Sequence, residues 1–422
     1  MSGTRLVVCH ECDLLQWKTP LSEPGATRCR RCSAVLDRSL PATYDRALAL
    51  TLAAAVVFAV ANCFPIVALR VNGALVETTL FGAVSSLWGD GMWLLAGLVF
   101  VTTILMPALN VAAAIHLLLP LHMGRSPCRA GLALHVLGRV APWGMVEVLM
   151  PAMLVALVKL GHYVTVVPGV GIWAFGAVMV LLATAAISFD PAGIWSRIDS
   201  VSDDYVASLA PQVGAAAPTE ARAGLFMCRA CGLVSKPLAH VHVGICPRCR
   251  AILHLRKPHS LARTWAFLAA AAALYIPAVV LPVMVTSTVF GTRSDTLLSG
   301  VALLWISGSW VLAMVVFIAS IVVPMLKILS LTYLAWSTQL RSPGAPRKRT
   351  HVYRVVELVG RWSMLDIYVI TILAALVRFG SVATIDAGPG AVAFGAVVVL
   401  TMLAALSFDP RLIWDAVEKE GE

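Results

Sequence analysis

Charge is what this chain has least of. Only 13% of its 422 residues are Asp, Glu, Lys or Arg, whereas 59% are hydrophobic. Its mean hydropathy is +0.85. No water-soluble domain of this length carries that balance, so the composition predicts a polytopic membrane protein. Catalytic signatures are missing as well. The dipeptide Gly-Lys does not occur, which excludes a Walker A nucleotide site and ATP hydrolysis by that route. There is no Gly-x-Ser-x-Gly elbow and no His-Glu-x-x-His helix, so we expect no enzyme. The first residues hold Cys9, Cys12 and several charges where a signal peptide has an apolar core. The first membrane helix is therefore expected to direct insertion.

The few charges are unevenly placed. The net charge of +10 concentrates at Arg28/Arg30/Arg31, Arg125/Arg129/Arg139, Arg248/Arg250/Arg256/Lys257 and Arg347/Lys348/Arg349. These clusters lie between alternate apolar runs, which is the positive-inside pattern and not a nucleic-acid footprint. It places both termini and the long central segment in the cytoplasm.

Eight of the ten cysteines form two sets. Cys9-His-Glu-Cys12 is followed by Cys29-Arg-Arg-Cys32, and Cys228-Arg-Ala-Cys231 by Cys246-Pro-Arg-Cys249. Paired C-x-x-C knuckles at these separations suit a tetrahedral four-thiolate site, so each set is expected to hold one structural zinc ion. Spacing alone also admits iron. A disulfide framework is the alternative, disfavoured in a reducing cytoplasm. Each segment is too short for its own core, so the metal would supply folding energy. His240 and His242 lie between the second pair of knuckles, but four cysteines already complete a site. Cys63 and Cys128 lack partners at metal spacing and read as packing or loop residues.

Apolar spans are expected at about 47–69, 92–119, 141–160 and 170–189, then 264–286, 303–336, 362–380 and 390–407. Asn72-Gly73, between alternating residues, reads as a hairpin turn. One offset aligns Pro65 with Pro282, Thr79 with Thr296 and Trp88 with Trp305, and carries Thr103, Pro107 and Asn110 onto Ser320, Pro324 and Lys327. A nearby offset aligns Trp143 with Trp362, Glu147 with Asp366, and Phe189-Asp-Pro191 with Phe408-Asp-Pro410. The expected fold is therefore all-α: two parallel repeats of four transmembrane helices, each preceded by a cytoplasmic zinc ribbon, with small periplasmic β elements. The expected divisions are ribbon 1 at 1–40, transmembrane domain 1 at 41–200, a linker at 201–224, ribbon 2 at 225–257 and transmembrane domain 2 at 258–422.

The halves differ at Lys327, which sits inside an apolar run long enough to cross a bilayer. A charge at that depth costs about 2.5–3.5 kcal/mol on insertion scales, so it must face protein or water. Pro324 has no N–H, so the Ser320 carbonyl should lose its helical partner. Ser320, Pro324 and Lys327 follow i, i+4, i+7 spacing and share one face. The alternative is a kinked helix whose lysine snorkels to the interface. By helical rise, Asp366 and Thr401 fall within roughly 10 Å of the depth of Lys327. We therefore take Ser320, Lys327, Asp366 and Thr401 as a candidate binding or transport site, although Asp366 also reads as a helix-start carboxylate. The first half has Asn110 and Leu182 at the positions of Lys327 and Thr401.

Two C-x-x-C ribbons, each before four spans, with Trp-x-Met-x-[Asp/Glu] openings and Phe-Asp-Pro-x-x-Ile-Trp closings, resemble the paraquat-inducible protein A family over nearly the whole chain. The resemblance implies a bacterial inner-membrane protein that works with periplasmic MCE-domain proteins. The implied task is moving phospholipid or related lipids between membranes for envelope integrity. The positions that would carry it here are Ser320, Lys327, Asp366 and Thr401. A scaffold that anchors and regulates a periplasmic partner, or a metal-responsive sensor, are the competing readings.

Overall fold

The computed structural model describes residues 5–18, 25–39, 44–71, 74–127, 129–144, 146–161, 165–189, 194–195, 219–220, 224–229, 231–236, 243–288, 291–342, 344–360, 365–376 and 383–419. Among these, seven helical runs are long and apolar enough to cross a membrane. The expected eighth span corresponds to a helix described over Leu365–Leu376, too short by itself to cross.

The chain starts with two short hairpins, β1 (Arg5–Val8) with β2 (Leu15–Lys18) and β3 (Gly25–Arg28) with β4 (Val35–Ser39). Helix α1 (Tyr44–Cys63) follows, then β5 (Val67–Val71) and β6 (Ala74–Thr78), which pair on either side of Asn72-Gly73 as expected. Thr79 caps α2 (Leu80–Gly89) by accepting the Gly82 N–H at 3.0 Å. A tight turn leads into one continuous run: α3 (Trp93–Phe100), a π-turn at Val101–Leu105, and α4 (Met106–His122). Then come α5 (Ala130–Val140), α6 (Val146–Gly161), β7 (Thr165–Pro168) and α7 (Val170–Ser188). Strand β7 adds to β5, giving a three-stranded sheet in the order β6-β5-β7.

The second half has hairpins β8 (Phe226–Met227) with β9 (Val234–Ser235) and β10 (Val243–Ile245) with β11 (Ile252–His254). Helix α8 (Ser260–Val280) leads to β12 (Met284–Thr288) and β13 (Gly291–Asp295). Thr296 caps α9 (Leu297–Ile306) in a reciprocal capping box with Ser299. Next are α10 (Trp310–Phe317), a π-turn at Ile318–Val322, and α11 (Val323–Gln339). Helices α12 (Pro346–Gly360) and α13 (Leu365–Leu376) precede β14 (Ala383–Ala387), α14 (Pro389–Ser407) and α15 (Leu412–Lys419). Strand β14 joins β12 in the order β13-β12-β14.

The structure departs from expectation at one span and adds detail at two other places. The span expected over 303–336 is two helices, because the chain reverses between Ile306 and Trp310. The strand pairs are three-stranded sheets, since each recruits a strand from beyond its own hairpin. Pro324 follows a π-turn at Ile318–Val322. The helix widens ahead of it, and the Val323 N–H reaches back five residues to Ile318.

The aligned prolines now have a physical reason. Pro282 offers its carbonyl to the Gly390 N–H at 2.9 Å, as Pro65 does to Gly171 at 3.0 Å. The approach is so close that a Cβ at Gly388 would fall 2.2 Å from the Pro282 oxygen.

One hydrophobic core runs through both halves, from Leu80, Leu95 and Phe175 to Tyr368, Phe394 and Val397. Helix α13 of the second half packs on α6, α2 and α3 of the first. There the buried Tyr368 hydroxyl donates to Thr102 Oγ1 at 2.9 Å, inside the first π-turn.

Candidate metal centres and buried polar site

Each C-x-x-C closes a knuckle with the same backbone bond. The N–H of the residue after the second cysteine donates to the first cysteine's carbonyl: Asp13 to Cys9, Ser33 to Cys29, Gly232 to Cys228 and Arg250 to Cys246, at 2.8–3.0 Å. All four of those residues have positive φ, which turns the chain so that both sulfurs face inward. Two knuckles then converge. Sγ separations are 3.5 Å for Cys9–Cys32, 3.4 Å for Cys12–Cys29, 3.3 Å for Cys228–Cys249 and 3.5 Å for Cys231–Cys246. Disulfide sulfurs sit about 2.05 Å apart, so these are thiol clusters. The four sulfurs of each cluster lie within 4.8 Å of one another and could hold a metal ion. Four sulfurs about 2.3 Å from a central ion would stand roughly 3.8 Å apart, a spacing compatible with these clusters. Cys63 lies outside both clusters. Cys128, His240 and His242 lie outside the described residues.

The clusters dock crosswise. The first, Cys9/Cys12/Cys29/Cys32, packs with Leu331, Leu334, Tyr353, Phe408 and Trp414 of the second half. The second packs with Leu117, Leu118, Ala133, Leu134 and Trp195 of the first half. Its seat is tight: a Cβ on Gly131 would meet Cys249 Cβ at 2.9 Å. The ribbons also touch each other through Leu6, Val8, Leu225 and Val234.

Buried ion pairs fix this arrangement. Arg411, 1% exposed, donates to Glu220 at 2.7 Å and lies 3.2 Å from Asp13. Arg256 bridges Asp13 at 3.0 Å and Asp415 at 2.7 Å. Arg354 holds Glu11 and the Cys32 carbonyl. Burial pushes the Glu220 carboxyl up to about 7, against the pull of Arg411. Burial pushes Lys257 down to about 8, where its ammonium caps the carbonyls of Leu406 and Phe408. Burial alone would raise Asp409, but Arg229, the Lys257 amide and Arg411 hold its carboxyl below the usual range. Glu220 falls within the stretch expected as a linker, 201–224, and Arg411 within the closing motif. Sequence reading assigned neither a role, although Arg411 stands where the first half has Ala192 and that difference was visible.

Of the candidate membrane residues, Ser320, Lys327 and Thr401 are 0%, 2% and 1% exposed. Ser320 Oγ donates to the Val316 carbonyl at 2.5 Å, and Thr401 Oγ1 to the Val398 carbonyl at 3.0 Å. Lys327 Nζ donates to the Gly360 carbonyl at 3.2 Å, at the end of α12. Lys327 is 2% exposed and lies twelve residues before the end of α11 at Gln339. Helix α11 packs against α8, α12 and α14, which brings Thr401's helix alongside. Asp366 belongs to α13, but its side chain lies outside the described residues, as do Trp362, Ser363 and Met364. Sequence reading missed Gly360, because a backbone carbonyl at a helix end leaves no side-chain signature.

The family model of paraquat-inducible protein A matches residues 44–199 and again residues 261–418. The chain is 34% identical over 414 residues to the intermembrane transport protein PqiA of Escherichia coli (strain K12), covering 97% of this chain and 95% of that protein. It is 30% identical over 412 residues to the lipophilic envelope-spanning tunnel protein A of the same organism, covering 97% and 91%. No solved structure matches.

Proposed function

The chain belongs to the paraquat-inducible protein A family, and on that premise we propose that it passes lipid between the inner membrane and a periplasmic conduit of MCE-domain protein, in support of envelope integrity. It is a multi-pass membrane protein of the bacterial envelope. Two relatives bear names of intermembrane transport and an envelope-spanning tunnel, which supports a transport role.

The observation that carries the reading is Lys327. An ammonium 2% exposed in a membrane-length helix is costly, and such residues mark substrate paths or ion relays. A π-turn just ahead of it, holding Ser320, gives the helix a place to bend. A phosphodiester headgroup reaching Lys327 would meet it at low dielectric, where one charge contact exceeds its worth in water. In this proposal Asp366 holds the ammonium when lipid is absent, and Ser320 and Thr401 complete the polar lining. The same reading includes eight spans, two parallel repeats, cytoplasmic ribbons and termini, the division into five segments, and one structural zinc per cysteine cluster.

The two four-cysteine clusters fit zinc by donor set and spacing. Four thiolates leave no open coordination position, so the metal's contribution is folding. The crossed docking also suits a scaffold that braces a periplasmic partner with no cargo of its own.

Native mass spectrometry of purified protein separates the two. Copurified phospholipid that is lost in Lys327→Ala supports transport. No lipid on either form supports the scaffold and overturns the transport reading.

A further inference from the structure

One further basic group, Arg349, is buried with no matching anion among the described residues. Arg349 begins the second turn of α12 and is 2% exposed. Its Nη2 donates to the carbonyls of Ser342 and Gly344 at 2.5 and 2.6 Å. Its Nε and Nη1 are shielded from solvent and have no hydrogen-bond partner among the described residues. No carboxylate among the described residues pairs with it, and the segment from Leu340 to Thr350 contains no acid. That segment carries three more cations, Arg341, Arg347 and Lys348, all exposed. A guanidinium desolvated beside neutral carbonyls alone is an expensive arrangement.

The fold does not require it. The corresponding helix of the first half, α5, buries Ala130, Ala133, Leu134 and Val140 and no arginine. Apolar packing alone therefore does not account for the charge, and its two carbonyl contacts use only one of its three nitrogens.

Its location says what that is. Trp336 on α11 is exposed and meets Trp265 edge-on at 6.4 Å, while the Trp265 indole N–H donates to Gln339 at 3.1 Å. Paired tryptophans at a helix end mark headgroup depth. Tyr333, one turn earlier and exposed, lies within electrostatic reach of Arg349. The corner between α11 and α12 thus combines an arginine with no carboxylate partner among the described residues, flanking cations, a phenol and the N-terminus of a 15-residue helix. Arg341 and Ala345, both with positive φ, stand on either side of the Ser342 and Gly344 carbonyls that the guanidinium holds.

We propose that this corner is a binding site for the phosphate of an anionic phospholipid in the ribbon-side leaflet, held by Arg349 with Arg347, Lys348 and Tyr333. Arginine presents paired donors to phosphate, and neighbouring cations raise the local concentration of anionic lipid. The site is separate from the Lys327 position and depends only on the chain crossing a membrane, not on transport.

The test is native mass spectrometry with added phosphatidylglycerol, phosphatidylcholine or inorganic phosphate. Wild type is expected to bind phosphatidylglycerol about tenfold more tightly than phosphatidylcholine. Arg349→Gln should abolish that preference, and Lys327→Ala should leave it intact. If Arg349→Gln does not fold, the exposed pair Arg347→Gln with Lys348→Gln should weaken the preference several-fold. Inorganic phosphate competing at equal concentration would assign the site to free phosphate and overturn the lipid assignment. Equal binding of both lipids by wild type, or a preference that survives in folded Arg349→Gln or the folded double variant, overturns the site.

Discussion

The guanidinium of Arg31 stacks 4.4 Å from the ring centroid of Trp414. Arg31 belongs to the second knuckle of the first ribbon and Trp414 to the closing motif of the second half. The mirror contact exists: Arg248, at the same place in the second ribbon, lies 4.9 Å from Trp195, which closes the first half. Each ribbon therefore clasps the membrane domain that it does not precede in sequence. The two halves are joined by their core and also by two crossed braces, each built around a four-cysteine cluster.

Metal removal should therefore act at a distance. Chelation, or Cys246→Ser, is expected to loosen the first half although the second ribbon precedes the second half. Limited proteolysis read by mass spectrometry should show new cleavage around 123–130 before cleavage around 340–346. The reverse order would contradict crossed docking. Gly131→Val should lower the melting temperature while both clusters keep their metal, because it pushes the ribbon off its seat without touching a ligand.

The Glu220 carboxyl gives a pH signature. Its folded value, about 7, lies above the ordinary 4.5. Between those values the folded protein binds more protons than the unfolded chain, so this group's contribution to stability falls as pH rises through that window. Below about 4.5 the contribution is fully present, and above about 7 it is lost. Glu220→Gln should be relatively more stable than wild type at pH 8 than at pH 5. Melting temperatures of both proteins across that range check it, and their difference cancels the other titrating groups.

Local chemistry was legible in the sequence, and nonlocal pairing was not. The C-x-x-C spacing, the Asn-Gly turn and the capping threonines announce themselves within a few residues. Strands β7 and β14 pair with β5 and β12 from almost a hundred residues away, and their Thr165–Pro168 and Ala383–Ala387 stretches carry no turn signal to fix a register. The crossed ribbons were hidden for the same reason. Glu220 was read as linker because a polar, Ala-rich stretch looks solvated until Arg411 is known to reach it. Arg349 looked like one more positive-inside charge, and only its burial separates it from Arg347 and Lys348.

Gly388 tests the sheet closure. A methyl group there would overlap the Pro282 carbonyl at 2.2 Å, a backbone atom that cannot rotate away. Gly388→Ala is expected to cost several kcal/mol, in the range of severe core overpacking, and to lower membrane abundance. Gly97→Ala, which meets nothing within 4 Å, is the matched control and should leave abundance unchanged. Equal abundance of the two variants would show that the second sheet is not closed in this way.

The remaining prediction concerns the unlike halves. Asn110 and Lys327 occupy matching places five residues after the π-turns end, yet only Lys327 carries charge. Lys327→Ala relieves the desolvation of the ammonium but takes a donor from the Gly360 carbonyl and leaves space behind, so a modest loss of stability is expected. Function should respond differently, since a headgroup attracted by the ammonium would lose its main electrostatic contact. Lys327→Ala and Asp366→Ala are therefore expected to fail in complementing a deletion strain while membrane levels stay near normal. Asn110→Ala and Glu147→Ala should be milder. Full complementation by Lys327→Ala at normal abundance would reduce the lysine to a structural tie between α11 and α12. The proposed path for lipid would then have to be sought elsewhere in the core.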